Sequence, residues 1–440
     1  MALSGNRTFV GLGFGPIQAG LFLYEAFRSG GFGRLVVGEV LPDVVSAMRS
    51  AGGWYSLNVA HSDRVEITTV GPVEIEDPAS PPDVRHLVDA VAGAEETATS
   101  VPSVRHYVAS GPGSIHRILA EGLRQKAASH GPRAVVYAAE NHNHAAEILE
   151  AAVFDAIPAA ERASVRARVR FLNTVIGKMS GVISDAAEIQ AKGLATFTPQ
   201  QKRAFLVEVF NRILISRVDF GEASGEPRFQ RGITAFEEKD DLLPFEEAKL
   251  YGHNATHALA AYIGALRGLN RIAELREFPD LLGFLRAAFL EESGEALIRK
   301  HAGKDRLFTP EGYREFALDL LERMTNPYLQ DTVERVGRDP QRKLGWDDRL
   351  VGTLRVALEQ GVVPRRYALG AAAALATLDP SFLSTDQPAR VLLEPLWDSA
   401  PTESPARNSV IALIEDGRRR LNRWRESGFQ NLEDFFPHQN

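Results

Sequence analysis

Residues 7–40 read RTFVGLGFGPIQAGLFLYEAFRSGGFGRLVVGEV. The apolar run Thr8–Val10 enters a turn, Gly11-Leu12-Gly13-Phe14-Gly15-Pro16, and a helical pattern then runs to a stop at Gly30-Gly31. A second apolar strand, Arg34–Val40, carries Glu39 near its end. Strand, glycine turn, helix and strand in that order open a parallel α/β sheet. Glycines in such a turn let the backbone approach a pyrophosphate at a helix N-terminus, so Gly11, Gly13, Phe14 and Gly15 form a candidate cofactor cradle. Pro16 stands where the fingerprint has its third glycine, and the turn by itself fits a tight connection as well as a nucleotide site. Glu39 occupies the place where an acid accepts hydrogen bonds from the adenosine ribose. A carboxylate there repels a 2′-phosphate, which favours NAD over NADP; the alternative is a surface loop acid.

The alternation continues downstream. Residues 65–102, rich in prolines and acids and including VAGAEETATS, read as strand and loop excursions. Val104–Ala109 is expected to be a strand leading to Gly111-Pro112-Gly113 and a helix through IHRILAEGLRQKAASHG. Next comes Ala134–Ala139, an apolar strand of the kind buried in a parallel sheet, ending in Glu140-Asn141. In doubly wound sheets ligands sit beyond the carboxyl ends of the strands, the position of Gly111, Pro112 and Asn141. After strand-like segments at 171–183 and 207–217 the pattern becomes helical, at Leu242–Leu269, Leu281–Lys300, Pro310–Arg323, Asp347–Gln360, Tyr367–Thr377 and Ser409–Glu426. The expected architecture is a Rossmann-type α/β domain over 1–235 followed by an all-α domain over 236–440.

Composition sets the outer bounds. A chain of 440 residues suggests two or three domains, and 44% hydrophobic with 24% charged residues suits a packed globular protein. A net charge of −7 argues against nucleic acid as the main partner. The absence of cysteine removes disulfides, thiolate catalysis and Cys-ligated zinc, and fits a cytoplasmic protein. No apolar run approaches the length of a membrane span, and no secretory leader is read at the N-terminus. Spacing leaves the oligomeric state open, with a monomer plausible. The basic run RRRLNRWR at 418–425 reads as a solvated helix face.

The candidate chemistry lies in KLYGHNATH, residues 249–257, inside a helix expected over Phe245–Leu266. At ideal helical spacing Lys249, His257 and Asn254 fall at about 0°, 80° and 140°, so one broad face offers an amine, an imidazole and an amide. Such a face could take a proton from an alcohol and hold the oxygen left behind. The bland alternatives are a surface lysine and a hydrogen-bonded structural histidine. His253 and His257 are spaced like zinc-protease ligands, and His142 with His144 also invite a metal. However, Asn254 occupies the place of the protease glutamate and no third ligand is evident, so no metal is expected.

Three stretches carry a family resemblance: KLYGHNATHALAAYIG, EESGEALIRK at Glu291–Lys300, and NPYLQDTVERVGRDPQRKLGWDDRLVGTL at Asn326–Leu354. With the glycine turn, Glu39, SGPG and Ala139-Glu140-Asn141 in support, the chain resembles the polyol-specific long-chain dehydrogenases/reductases, the mannitol dehydrogenase family, and most of all its branch acting on mannitol 1-phosphate. The resemblance implies a metal-independent, NAD-linked interconversion of a polyol phosphate and a ketose phosphate (mannitol 1-phosphate and fructose 6-phosphate). It implies Lys249 as general base, with Asn254 and His257 at the reacting oxygen and Asn141 as a second oxyanion donor from the nucleotide domain. Arg335 and Lys343 would hold the polyol chain, and Arg338 and Arg342, in the same basic segment, would meet a phosphate. The family commonly has Val-Asp-Arg where this chain has Ile176-Gly177-Lys178, so an acid expected near the substrate is absent. An unphosphorylated polyol or a uronate-derived substrate is the runner-up, and a catalytically silent NAD- or sugar-phosphate-binding relative is the alternative from another class.

Overall fold

The structure, a computed structural model, describes residues 5–221, 228–329, 331–397 and 405–436, and divides into two compact units, Met1–Leu242 and Leu243–Asn440. The first contains β1 Arg7–Leu12, β2 Phe32–Gly38, β3 Tyr55–Ala60, β4 Val65–Val70, β5 Glu74–Glu76 and β6 Glu96–Thr99. Its later strands are β7 Ala134–Ala138, β8 Val169–Val175, β9 Ser180–Ile183, β10 Ala204–Glu208, β11 Ile213–Ser216 and β12 Phe236–Lys239. They form an eight-stranded sheet ordered β12-β11-β8-β7-β6-β1-β2-β5 and a four-stranded sheet ordered β4-β3-β10-β9. From β5 to β8 every pairing in the larger sheet is parallel. Helices cover it because parallel strands need crossovers, as the sequence alternation requires.

Three local expectations are corrected. Val104–Tyr107 is a short 3₁₀ turn, opened by the Ser103 hydroxyl accepting the Arg105 amide, and not a strand. The strand paired between β1 and β7 is instead β6, whose sequence ETAT is polar yet entirely buried. Its polar groups are matched: the Tyr137 hydroxyl donates to Glu96 at 2.8 Å and the Thr99 hydroxyl to Glu140 at 2.9 Å. Partnered polar groups tolerate burial, so hydrophobicity gave no signal here. Residues 65–102 also hold a helix, Pro81–Gly93, with Leu87, Val88, Ala90 and Val91 turned inward. Finally, 207–217 is not one strand: β10 ends the smaller sheet's parallel pair with β3, and β11 joins the larger sheet. Because β12 pairs with β11, the first unit extends to residue 242, past the expected 235.

The second unit is helical. One continuous helix runs over 243–266 and another over 279–300, followed by Pro310–Met324, Val333–Gly337, Pro340–Lys343, Val351–Glu359, Arg365–Leu378 and Pro405–Glu426. Its only strand-like pairing among the described residues is an isolated bridge, Arg271 to Thr332. Arg365–Leu378 is the central element, because small residues let neighbours approach it closely. A Cβ on Gly417 would lie 2.6 Å from the Ala368 backbone, and one on Gly370 would lie 2.5 Å from Leu259. Among the described residues no helix is long and apolar enough to cross a membrane.

Candidate active site

In the first unit the strand registers place Gly38, Leu12, Thr99 and Ala138 in one row, so β2, β1, β6 and β7 all end at the same edge. The chain passes from β1 to β2 on one side and to β6 on the other, and this reversal of strand order is where such sheets open a crevice. The glycine turn emerges there, stitched by Gly13 N–H to Gly38 O at 2.8 Å and Ser100 N–H to Leu12 O at 2.9 Å. Gly13 has φ of 93° and its missing Cβ would meet Ser100 O at 2.5 Å, so only glycine fits. A Cβ on Gly11 would run into the buried Gln18 side chain, whereas one on Gly15 would meet nothing within 4 Å. Open space over Gly15 at a helix N-terminus is what a pyrophosphate needs. Phe14 contributes differently: its ring lies in the core, edge-on to Tyr55, Phe197 and Phe205.

Glu39 is nearly buried, and both its carboxylate oxygens accept backbone amides, from Phe14 and from Leu41, each at 2.8 Å. It braces the glycine turn, and each oxygen keeps a second lone pair for a ligand hydroxyl. Glu140, also at this edge, accepts the Val101 amide at 2.9 Å, the Thr99 hydroxyl and the Tyr107 hydroxyl; burial raises its pKa. It anchors the next residue, Asn141, whose side chain is exposed at the strand ends. Gly111, with φ of 92°, and the exposed Pro112 form the turn before the helix Ile115–Ala128.

In the second unit KLYGHNATH lies on the 243–266 helix, but 248–254 is a π-helical turn. This wider turn spends fewer degrees per residue than an α-turn, so Lys249 and Asn254, five apart, stand closer around the axis than the 140° that ideal spacing gives. The cause is local. The Thr256 hydroxyl donates to Gly252 O at 2.8 Å, competing with the backbone ladder, and lies 2.6 Å from the Tyr367 hydroxyl. On the 279–300 helix the π-turn Ala288–Gly294 repeats the device, with Ser293 Oγ donating to Phe289 O at 3.2 Å and 3.1 Å from the same Tyr367 hydroxyl. Gly252 is needed because a Cβ there would sit 2.5 Å from the Tyr313 hydroxyl.

Several of the charges around this turn are cationic and buried. Burial, with the Arg349 guanidinium adding to it, lowers the Lys249 ammonium to about 8. Lys343, only 2% exposed, is likewise lowered to about 8 by burial and then by Arg349 and Arg342. His257 is pressed to about 3 by burial first, then by Arg335, Arg349 and Lys343, which makes it a neutral imidazole. His253 is buried beside it, ring centres 6.2 Å apart, with its pKa also held well below the usual value by burial. The basic segment therefore splits. Lys343 is inside and Arg349 half-buried against Asp348 at 2.8 Å; Arg335, Arg338 and Arg342 are exposed, Arg342 lying 3.7 Å from Asp348.

Two residues of this site were not among the sequence candidates. Arg349 presses on Lys249, His257 and Lys343 alike. Asp331 is a buried carboxylate that pairs with Arg335 and lies 3.4 Å from His257 Nε2. Its spacing of four before Arg335 was the available signal. Among the described residues the three side chains that converge like metal ligands are Glu76, Asp83 and His86, and Arg49 already sits on that group, 2.6 Å from Asp83 and 3.3 Å from Glu76.

Comparison with known proteins fits both halves. Residues 7–223 match the mannitol dehydrogenase Rossmann domain and residues 241–406 the mannitol dehydrogenase C-terminal domain. The mannitol-1-phosphate 5-dehydrogenase of Arthrobacter sp. (strain FB24) is 32% identical over 84% of this chain and 85% of its own length. That of Bacillus licheniformis is 29% identical over 84% of this chain and 90% of its own. Among solved structures, a substrate-free D-sorbitol dehydrogenase superposes with a TM-score of 0.74 at 16% identity, covering 99% of this chain and 96% of that one. The Pseudomonas fluorescens mannitol 2-dehydrogenase ternary complex with NAD and D-mannitol gives 0.69 at 17% identity, covering 98% and 94%. At those identities the structures establish the shared fold, while the sequence relatives and the two matched domains establish the lineage: the chain belongs to the mannitol dehydrogenase family and is a polyol dehydrogenase.

Proposed function

We propose that the protein interconverts a polyol phosphate and a ketose phosphate with NAD, mannitol 1-phosphate and fructose 6-phosphate being the pair, and with Lys249 as general base and no metal. The observation that carries the chemistry is Lys249 itself, a lysine lowered to about 8 in a π-turn that also presents Asn254 and is followed by the neutral His257. A secondary alcohol surrenders hydride only as its proton leaves, so the base must be neutral near working pH. An ordinary lysine, with a pKa near 10.4, is not.

The first unit fits the cofactor. Open space over Gly15, the glycine-only conformation of Gly13 and the carboxylate of Glu39 suit the pyrophosphate and adenosine ribose, with Gly11, the Phe14 backbone, Gly111 and Pro112 completing the cradle. NAD, when bound, supplies the hydride acceptor. The chain's own residues do the rest. Lys249 Nζ takes the hydroxyl proton. Asn254 and, from the first unit, Asn141 are assigned to the developing alkoxide, each such donor being worth about 2.7–4 kcal/mol of barrier. Arg335 and Lys343 hold the polyol chain, and Arg338 with Arg342 meets the phosphate, guanidinium forks being matched to that group.

The relatives named mannitol-1-phosphate 5-dehydrogenase support the phosphorylated substrate. The solvent exposure of Arg338 and Arg342 keeps the unphosphorylated polyol as the second reading. Rates with NADH on fructose 6-phosphate, fructose and a uronate-derived ketose separate the two. We expect fructose 6-phosphate to turn over fastest, and Arg338→Ala with Arg342→Ala to erase that preference. Turnover of plain fructose at the same kcat/KM, or a preference untouched by the double substitution, would displace the phosphate reading. No turnover of any polyol, polyol phosphate or ketose with either nicotinamide cofactor would end the proposal.

A further inference from the structure

Asp331 lies outside every role assigned so far, and its environment is specific. Its side chain is 7% exposed, and a carboxylate that deep is almost always paired. One oxygen, Oδ1, is held by the Arg335 guanidinium one helical turn on. The other, Oδ2, lies 3.4 Å from His257 Nε2, and both atoms are buried with no hydrogen bond among the described residues.

The carboxylate is also rigidly placed. The Ile272 amide donates to Asp331 O at 3.0 Å and the Val333 amide to Asn270 O at 2.9 Å, on either side of the Arg271–Thr332 bridge. The Thr332 hydroxyl then caps the helix Val333–Gly337 by accepting the Arg335 amide at 3.1 Å. Two facing buried atoms at 3.4 Å on a stapled segment are one small side-chain rotation from a hydrogen bond, and such contacts shorten when a site fills.

The chemistry of the two groups fixes what that bond must be. An ionised carboxylate only accepts, and a neutral imidazole carries one N–H and one lone pair, assigned by its partners. The nitrogen facing Oδ2 must then be the donor. We propose that Asp331 is a positioning residue that holds His257 as the Nε2–H tautomer, anchored by Arg335 on its other oxygen, so that Nδ1 offers a lone pair to a substrate hydroxyl. His257 thereby favours a substrate that donates a hydroxyl to it, and an analogue lacking that hydroxyl is discriminated against. This rests on the reading of His257 as a substrate-facing residue.

The test has two arms, so that failure of the functional reading is told apart from failure of this one. In the first, ¹⁵N-labelled histidine in the full-length protein reports the His257 tautomer by NMR, assigned by loss of its signals in His257→Gln. We expect Nε2–H in the wild type and a mixture in Asp331→Ala or in the isosteric Asp331→Asn. An Nδ1–H ring in the wild type, or a ring indifferent to Asp331, overturns the proposal whether or not the enzyme turns over any substrate. In the second arm, Asp331→Asn lowers kcat/KM for the polyol phosphate by about tenfold or more, as loss of a ligand-orienting partner commonly does, with NADH affinity unchanged. Introduced into His257→Ala, it costs little more. An equal loss in both backgrounds would show that Asp331 does not act through His257.

Discussion

The glycine turn of the first unit and the lysine turn of the second are built by opposite means. At Gly13 and Gly15 the site is made by side chains that are absent, so that backbone amides and free space face the ligand edge. Around Lys249 it is made by charges brought where water is scarce: Arg349 presses on Lys249 and, with Lys343, on the neutral His257 of the same helix, whose burial is otherwise apolar. Both use a π-helical stretch, Gln18–Leu23 after the glycines and Ala248–Asn254 at the lysine. The first kind of site costs the fold little more than glycine flexibility. Desolvation strains the second, and the same strain tunes the lysine.

That contrast can be broken most severely at the lysine. Lys249→Ala removes the proposed base and should lower kcat by roughly 10²–10⁴-fold while NADH binding, followed by fluorescence titration, stays at the wild-type value. A parallel loss of NADH affinity would mean that the two functions are not separately housed. Lys343→Met comes next. Truncating a buried charge that meets substrate costs about 2–5 kcal/mol, so kcat/KM should drop by at least about thirtyfold, with the Tm maintained or raised because a desolvated ammonium is gone. A lowered Tm with intact kcat/KM would make Lys343 a structural group.

The pH profile sharpens the same point. Lys249 is depressed from its ordinary value to about 8, so below that pH it carries a proton and cannot accept another. Polyol oxidation should therefore rise about tenfold per pH unit up to the lysine's pKa and then level, with ketose reduction falling on the alkaline side. Loss of the acid limb in Lys249→Ala would identify the group. On the glycine side, Gly13→Ala forces a Cβ to 2.5 Å from Ser100 O at a φ of 93°. We expect a loss of about 1–3 kcal/mol in unfolding free energy, read by urea denaturation, with weaker NADH binding. Gly15→Ala, in open space, should weaken NADH binding alone. Gly252→Ala completes the series, with a destabilisation of about 1–3 kcal/mol from the contact with Tyr313.

Much of this was legible from the chain. Apolar periodicity placed β1, β2, β7 and the long helices, and glycine at positions 11, 13 and 15 marked the turn between β1 and the helix that follows. What escaped depended on partners remote in sequence. Strand β6 is written ETAT, and its Glu96 and Thr99 side chains are satisfied from afar by Tyr137, the Gly232 amide and Glu140. Next to the π-turn at Lys249, Thr256 is met by the Tyr367 hydroxyl, more than a hundred residues away. Within the basic segment the residue types cannot tell Lys343, inside, from Arg342, outside, because burial is decided by which side of a four-residue helix meets the core. Asp331 was overlooked because a carboxylate among arginines looks like ordinary charge balance until its depth and its closeness to His257 are known.

The bracing of the glycine turn by Glu39 bears on how this lineage can change its cofactor. Turning an NAD enzyme toward NADP ordinarily begins by removing the acid that repels the 2′-phosphate. On the proposed reading that acid is Glu39, which also satisfies the Phe14 and Leu41 amides, and without it the Phe14 amide in particular is left buried and unbonded. On that reading, cofactor preference and the integrity of the glycine turn are inherited together. A route to NADP that kept the enzyme folded would leave Glu39 in place and work through its exposed neighbour, Val40, where a new cation could be added without touching the turn.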